Sequence, residues 1–279
     1  MEQVYTNLDG FLSSDEINTV YIATPNLLHY EQAKMALLAG KHVICEKPFC
    51  TQAAQARELA ALAKERHLLL VEAVPTAYLP NFASLKRELP KVGKVKLVMG
   101  NYSQYSSRYD KLLAGELPNV FNPACGGGSL MDINFYNAYL NVALFGKPTE
   151  AVYYPNLYNA SIDTSGLLVM KYDGFISQSV GAKDTWGVNY FQIEGEQGYI
   201  YIAGGSNGLA QIEVVTKTSS ETFNDQPDPD RWYYEVQSLA KLFLREDYHA
   251  AEANMAVTLA NVELLESVRK AAGIRFPGE

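Results

Sequence analysis

The sequence predicts an α/β plus α+β chain: an incomplete parallel βαβ sheet, followed by a larger α+β domain with an open, mostly antiparallel sheet. Two observations carry the prediction. Over the first 75 residues, short apolar strands alternate with amphipathic helices, the pattern of parallel strands joined by right-handed crossovers. From residue 150 to 217, strands recur at hairpin spacing, with Asp173-Gly174 and Gly204-Gly205 as turns. The division expected is 1–75 and 76–279.

Asn18 to Ala23 reads as a buried strand, ended by Thr24-Pro25-Asn26, where proline forbids further pairing. His29 to Leu38 is helical, with Ala33, Ala36 and Leu37 on one face and Gly40 placed to end it. His42 to Cys45 is a second strand, stopped by Lys47-Pro48. Thr51 is placed to N-cap the next helix, whose apolar stripe is Ala56, Leu59, Ala60 and Ala63. Leu68 to Val74 is a third strand. Beyond Pro75 the spacing predicts a helix over Leu79–Leu89, a strand over Lys94–Tyr102, and a long polar, glycine-rich passage from Ser103 to Gly128. Residues 129 to 145 read as one helix and Ser219 to Asp230 as a loop. Two helices, near 231–247 and 250–272, close the chain, the second with Met255, Leu259, Val262, Leu265 and Val268 at helical spacing.

Composition narrows the class. The 48% hydrophobic and 19% charged content is that of a folded globular protein. No apolar run reaches the roughly 18 to 20 residues needed to span a bilayer, and Met1-Glu2-Gln3-Val4-Tyr5 lacks the features of a signal peptide. The net charge of −8 argues against nucleic acid or an anionic membrane as partner. Three cysteines, Cys45, Cys50 and Cys125, resemble no disulfide framework and fit a reducing cytoplasm. Four scattered histidines and no zinc-spaced cysteine pair give no metal site. Nineteen tyrosines against two tryptophans suggest polar-tipped aromatic surfaces, as in sugar clefts or subunit interfaces.

Three collinear stretches are specific together. They are Ala23-Thr24-Pro25-Asn26 with His29 shortly after, then Cys45-Glu46-Lys47-Pro48, then Gly126-Gly127-Gly128-Ser129-Leu130-Met131-Asp132. In this order the chain resembles the glucose–fructose oxidoreductase, inositol dehydrogenase and MocA (Gfo/Idh/MocA) family, and Gly195 to Ile200 extends the resemblance into the C-terminal half. It implies a partial Rossmann-like domain and a C-terminal domain used for substrate binding and oligomer contacts, as a dimer or tetramer. The implied activity is hydride transfer between NAD or NADP and a sugar, polyol or diol.

Oxidising a secondary alcohol needs a base for the hydroxyl proton while hydride leaves to the nicotinamide. A lysine serves if its pKa is depressed towards neutrality; as ammonium it instead donates to a developing alkoxide. Lys47 stands at the C-terminal end of a predicted parallel strand, where open α/β sheets place ligands. The resemblance puts it at the substrate, against the plainer reading of an exposed strand-end lysine. Asp132 lies four residues before Tyr136, so one helix would point both to one face. The resemblance makes Tyr136 a partner in proton transfer and Asp132 an orienting group; a helix-start charge and a core aromatic are the plainer readings. Asn134 stands where the family usually has glycine. By resemblance, Thr24, Pro25, Asn26, His29, Glu46 and Lys47 lie near the cofactor, although His29 also fits an ordinary first-turn helix residue. The glycine triplet is expected to bring backbone close to the cleft. Tyr105, Arg108 and Asn122, in the polar passage, are substrate candidates. Glu72 to Tyr78 resembles the dihydrodiol dehydrogenase branch, but Pro75 and Ala77 depart from it.

No Gly-x-Gly-x-x-Gly turn occurs in the 279 residues. The sequence at Val4 to Asp9 resembles a segment well downstream of that turn, and two readings stay open. A truncated enzyme, lacking roughly 45 to 50 residues, is favoured; the other is a genuine short form that no longer binds NAD(P). Without the missing strand, Val20 and Ile22 are expected on an exposed apolar edge. The function alternatives are a cofactor-free binding or assembly protein, and a lyase or isomerase reusing Lys47 and Tyr136.

Overall fold

A computed structural model describes residues 3–279. After a short helix α1 (Leu8–Leu12), strands β1 (Thr19–Ile22), β2 (His42–Glu46) and β3 (Leu70–Ala73) form a parallel sheet in that order, connected by α2 (His29–Leu38) and α3 (Ala53–Glu65). Two short helices follow, α4 (Pro75–Tyr78) and α5 (Pro80–Glu88), each with proline at its first turn, where no N–H is needed. Then come β4 (Val95–Ser103), α6 (Tyr109–Leu113), α7 (Ser129–Asp132) and α8 (Asn134–Phe145). The strands β5 (Glu150–Tyr158), β6 (Ile162–Tyr172), β7 (Phe175–Ala182), β8 (Tyr190–Gly195), β9 (Gly198–Ala203), β10 (Gln211–Thr216) and β11 (Ser220–Phe223) complete a second sheet. Its order is β11-β10-β9-β8-β4-β7-β6-β5, antiparallel except where β4 runs beside β7. Helices α9 (Arg231–Leu244) and α10 (Tyr248–Ala271) end the chain.

The large sheet is two-faced because its strands alternate. Tyr153, Leu168, Met170 and Tyr172 pack with Phe135 and Tyr139 of α8 in one core. On the other face Leu97, Val152, Tyr154, Ile176 and Tyr199 stay exposed. The parallel sheet is covered from both ends of the chain. Val20, Ile22, Val43 and Cys45 pack on Ala33, Ala36, Leu37 and Leu59, with Met255 and Val262 of α10 in the same cluster. Leu69 and Val71 meet Leu239 and Leu242 of α9. Further along α10, Leu264, Leu265 and Val268 join the core of the large sheet. One helix thereby ties both sheets together, and residues beyond 76 complete the layer around the strands of the first 75.

Several local expectations change. Val20 and Ile22 are buried, 5% and 4% exposed, because strand side chains project above and below a sheet rather than from its edge. What lies open at β1 is its backbone edge and Tyr21, on the opposite face. Thr51 is not the cap of α3. Gln52 holds that place without a side-chain bond, the Ala53 N–H donates to Glu266 Oε2 (2.7 Å), and the Thr51 carbonyl accepts from Arg269 (3.2 Å). The cap thus comes from α10, far away in sequence. The loop expected at 219–230 contains β11, an edge strand that bonds to β10 through backbone; its Ser220, Glu221 and Thr222 are polar and exposed, and Phe223 alone packs against a core, too little to show a strand pattern. The helix expected over 129–145 is interrupted at Ile133 (φ −99°), dividing α7 from α8.

Candidate active site

The site is assembled where β2 ends. The Lys47-Pro48 peptide is cis, and the loop behind it is held by β3 and by the start of α2, with α10 bracing the β3 residue. The Phe49 N–H donates to Glu72 Oε1 of β3 (2.8 Å), Thr258 of α10 donates to Glu72 Oε2 (2.8 Å), and His29 Nδ1 lies 3.0 Å from the Pro48 carbonyl. Lys47 then reaches across to the junction of α7 and α8. Its Nζ donates to Asp132 Oδ1 at 2.7 Å and to the Asp132 carbonyl at 3.1 Å, and it lies 5.0 Å from the centre of the Tyr136 ring. Lys183, just after β7, binds Asp132 Oδ2. All four residues line one cavity of about 490 Å³. Tyr105 and Arg108 line it too, as do Tyr102, Arg231 and Trp232.

The protonation states follow from this packing. Burial works against the Lys47 ammonium, but Tyr136, Asp132 and Glu46 outweigh it, so its pKa lies above the ordinary lysine value. Burial would raise Asp132; Lys47 and Lys183 hold it well below the usual carboxylate range. Burial raises the Tyr136 phenol, only partly opposed by Lys47 and Arg231. At neutral pH the cavity therefore presents an ammonium and a neutral phenol, both proton donors, beside a carboxylate. A lysine depressed towards neutrality, one of the two states the chemistry allows, is not what the packing produces.

The other sequence candidates divide. Thr24 is exposed, its hydroxyl donating to Gln32 Oε1 (2.7 Å). Pro25 and Asn26 line a smaller cavity of about 100 Å³ that shares Lys47 and Asp132 with the larger one. Glu46 is partly exposed and accepts from the Tyr21 hydroxyl (2.6 Å). His29 is fully buried, with Nδ1 and Nε2 against the carbonyls of Pro48 (3.0 Å) and Thr24 (2.9 Å), and burial pushes its pKa down. It has no surface to offer a cofactor; it packs between the end of β1 and the Lys47 loop and, as a neutral imidazole, donates to one of the two carbonyls. Asn122 caps a 3-10 turn by accepting from the Ala124 N–H (2.9 Å) and lies outside the cavity lining. The glycine triplet approaches protein, not an open cleft. A Cβ on Gly127 would meet the carbonyls of Val120 and Asn119 at 2.7 and 2.8 Å, and one on Gly128 would strike the Asp163 carboxylate. Gly127 alone of the three touches the smaller cavity.

Asn134 is accommodated by a second glycine. It donates to the Ser179 carbonyl (3.0 Å) and rests on Gly181, where a Cβ would come within 2.5 Å of its own. Sequence reasoning missed Lys183, Arg231, Tyr102 and Trp232. Each sits at the edge of a strand or helix in an ordinary polar context, and no spacing signal links them to Lys47. Among the described residues no group of His, Cys, Asp or Glu is placed to hold a metal, and no helix is long and apolar enough to cross a membrane.

The family model Gfo/Idh/MocA, an oxidoreductase family with an NAD-binding Rossmann fold, matches residues 1–73. The uncharacterized oxidoreductase YgjR of Escherichia coli is 36% identical over 279 residues, covering 100% of this chain and 84% of that protein. The chain belongs to the Gfo/Idh/MocA oxidoreductases. A second member, the NADP(+)-dependent scyllo-inositol 2-dehydrogenase IolU of Bacillus subtilis, is 34% identical over 276 residues, covering 99% of this chain and 84% of that protein. Solved structures carry the same fold. The 3-ketoreductase KijD10 of Actinomadura kijaniata, with NADP and TDP-benzene, superposes with a TM-score of 0.80 at 23% identity, over 96% of this chain and 82% of that one. Levoglucosan dehydrogenase, with NADH and levoglucosan, gives 0.81 at 18% identity, over 96% and 81%. In this Gfo/Idh/MocA chain the Lys47–Asp132 contact links the end of β2 in the small parallel sheet to α7, which packs on the eight-stranded sheet.

Proposed function

We propose that the protein is an NAD(P)-dependent oxidoreductase of a sugar-, polyol- or diol-like substrate, with Lys47 and Tyr136 in proton transfer and Asp132 orienting Lys47. The observation that carries this is the convergence of Lys47 Nζ on Asp132 (2.7 Å) and on the Tyr136 ring (5.0 Å) inside one cavity, at the carboxyl end of a parallel strand. IolU, named for a cyclic polyol, supports the substrate class. In this reading residues 1–75 are the incomplete dinucleotide-binding part and 76–279 bind substrate and build the oligomer.

The residues present fit the nicotinamide end of the cofactor. Pro25 and Asn26, after β1, and Lys47, after β2, line a cavity that shares Lys47 and Asp132 with the larger one, and exposed Thr24 and half-buried Glu46 stand beside them in the sequence. When bound, the nicotinamide supplies or accepts the hydride. The protein's own part is to hold the substrate oxygen between Lys47 Nζ and the Tyr136 hydroxyl. In reduction either group donates the proton as negative charge develops on that oxygen. Asp132 keeps the ammonium aimed, and Lys183 keeps Asp132 ionised.

The exposed face of the large sheet, with Leu97, Val152, Tyr154 and Ile176, supports a homo-oligomer formed through it. Residence in the cytoplasm is the compartment that three free cysteines, two of them buried, suit best. The test titrates NADH and NADPH into the 279-residue protein by nucleotide fluorescence, and into Lys47→Met. Because these residues lack the glycine-rich turn, weak binding, equal in both, with slow turnover only in the parent is expected, and micromolar binding by the parent overturns the reading of residues 1–75 as an incomplete site. Retained turnover in Lys47→Met removes Lys47 from its role, and no binding by the parent favours the cofactor-free alternative.

A further inference from the structure

In a protein of net charge −8, the wall of the large cavity has the opposite sign. Lys47, Arg108, Lys183 and Arg231 line it against one carboxylate, Asp132. Lys47 and Lys183 are both bound to Asp132, but no ion pair within 4.0 Å among the described residues involves Arg108 or Arg231. Glu235, one turn along α9 from Arg231, does not compensate. It is buried, its Oε1 has no hydrogen-bond partner, and burial together with Glu46 pushes its pKa up to about 8 against the opposing pull of Arg231, so it offers at most a partial charge near neutral pH and makes no ion pair with Arg231. Arg231 instead lies against rings, 4.7 Å from Trp232 and 6.0 Å from Tyr136, which orient a guanidinium without cancelling its charge.

We infer that the substrate carries an anionic group, a carboxylate or a phosphate, on a polyhydroxylated frame, and that Arg231 and Arg108 bind that group. The inference rests on the proposed reading of this cavity as the substrate site and names the class of compound it takes. Gln104, Ser106 and Ser107 supply hydroxyl-matching polar groups in the same wall. A neutral polyol closing over two guanidinium groups that have no carboxylate partner, Arg231 meeting only the Tyr102 hydroxyl and the rings, would strip water from them without replacing it, whereas an anion satisfies them and is drawn in by the focused field. The dinucleotide does not account for them: the smaller cavity shares Lys47 and Asp132 but none of Arg108, Lys183 and Arg231.

Calorimetric titration at low salt with D-gluconate, D-glucose 6-phosphate, D-glucose and myo-inositol tests this, in the parent and in Arg231→Gln and Arg108→Gln, with melting curves to confirm folding. At least one anion is expected to bind about tenfold or more tighter than either neutral compound, to weaken with added salt, and to lose about ten- to a hundredfold in Arg231→Gln. Which anion binds decides between carboxylate and phosphate. The inference is overturned if the neutral compounds bind as well as both anions, if neither anion binds at millimolar concentration, or if both variants keep the parent's anion affinity. Parallel assays of nicotinamide turnover separate the two readings. Anion binding without turnover of any polyol or its acid sinks hydride transfer and leaves the anion site. Turnover of neutral polyols alone does the reverse.

Discussion

At the scale of single residues, on the proposed reading of the site, the pairing of Lys47 with Asp132 sets the direction of chemistry that the resting site favours. Lys47 and Tyr136 both have raised pKa values, so the protonated forms persist through neutral pH. Carbonyl reduction, which consumes a proton, should run at constant rate across neutral pH and fall only above the ordinary lysine range, about pH 10. Alcohol oxidation should rise with pH towards the same range. Asp132→Asn removes the carboxylate that holds the ammonium, so both alkaline limbs should move down by roughly one to two pH units. Identical pH–rate profiles in parent and variant would show that Asp132 does not tune Lys47. Tyr136→Phe keeps the ring beneath Lys47 and deletes the hydroxyl. We expect kcat to drop roughly a hundredfold with little change in KM, and an unchanged kcat would leave Lys47 as the sole donor.

Among secondary-structure elements, the junction of α7 and α8 aims Asp132 and Tyr136 into one cavity although Ile133 interrupts the helix between them. Its seat on β7 depends on Gly181. A methyl group there would overlap Asn134 Cβ and press on its Cα at 3.0 Å. Gly181→Ala should therefore destabilise the fold by roughly 1 to 3 kcal/mol in urea unfolding, the usual range for overpacking. Adding Asn134→Gly should recover much of that loss. A double variant no more stable than Gly181→Ala alone would mean that strain elsewhere on β7 dominates.

For the molecule as a whole, Glu72 links both ends of the chain, accepting from Phe49 in the Lys47 loop and from Thr258 in α10. Burial raises its pKa to about 7. The native state thus binds its proton more tightly than the unfolded chain, whose glutamate titrates near pH 4. The sign follows: the contribution is fully present at acid pH, declines as pH rises from about 4 to 7, and is lost above that. A shift of this size corresponds to on the order of 3 kcal/mol at most. Glu72→Gln can keep both hydrogen bonds without the charge, so its unfolding free energy should vary less between pH 5 and 8 than the parent's. Equal slopes in denaturant titrations at the two pH values would assign the dependence to other groups, Glu235 first among them.

The sequence by itself determined the parallel strands of the first 75 residues, the alternating strands of the second sheet and the closing helices. These patterns are local: a period of two or 3.6 residues, and proline or glycine at the breaks. It also marked Lys47, Asp132 and Tyr136, because they lie in short runs whose order is characteristic of the family. Only the tertiary structure decided the rest. His29 moved from cofactor candidate to buried packing residue, since both ring nitrogens meet carbonyls brought together by folding. The cap of α3 came from Glu266, and the cationic cavity wall was built from Arg108, Lys183 and Arg231 on separate elements. Contacts between residues far apart in the chain leave no periodic trace, so charge convergence, tertiary caps and the protonation state of Lys47 appear only once the two sheets are packed together.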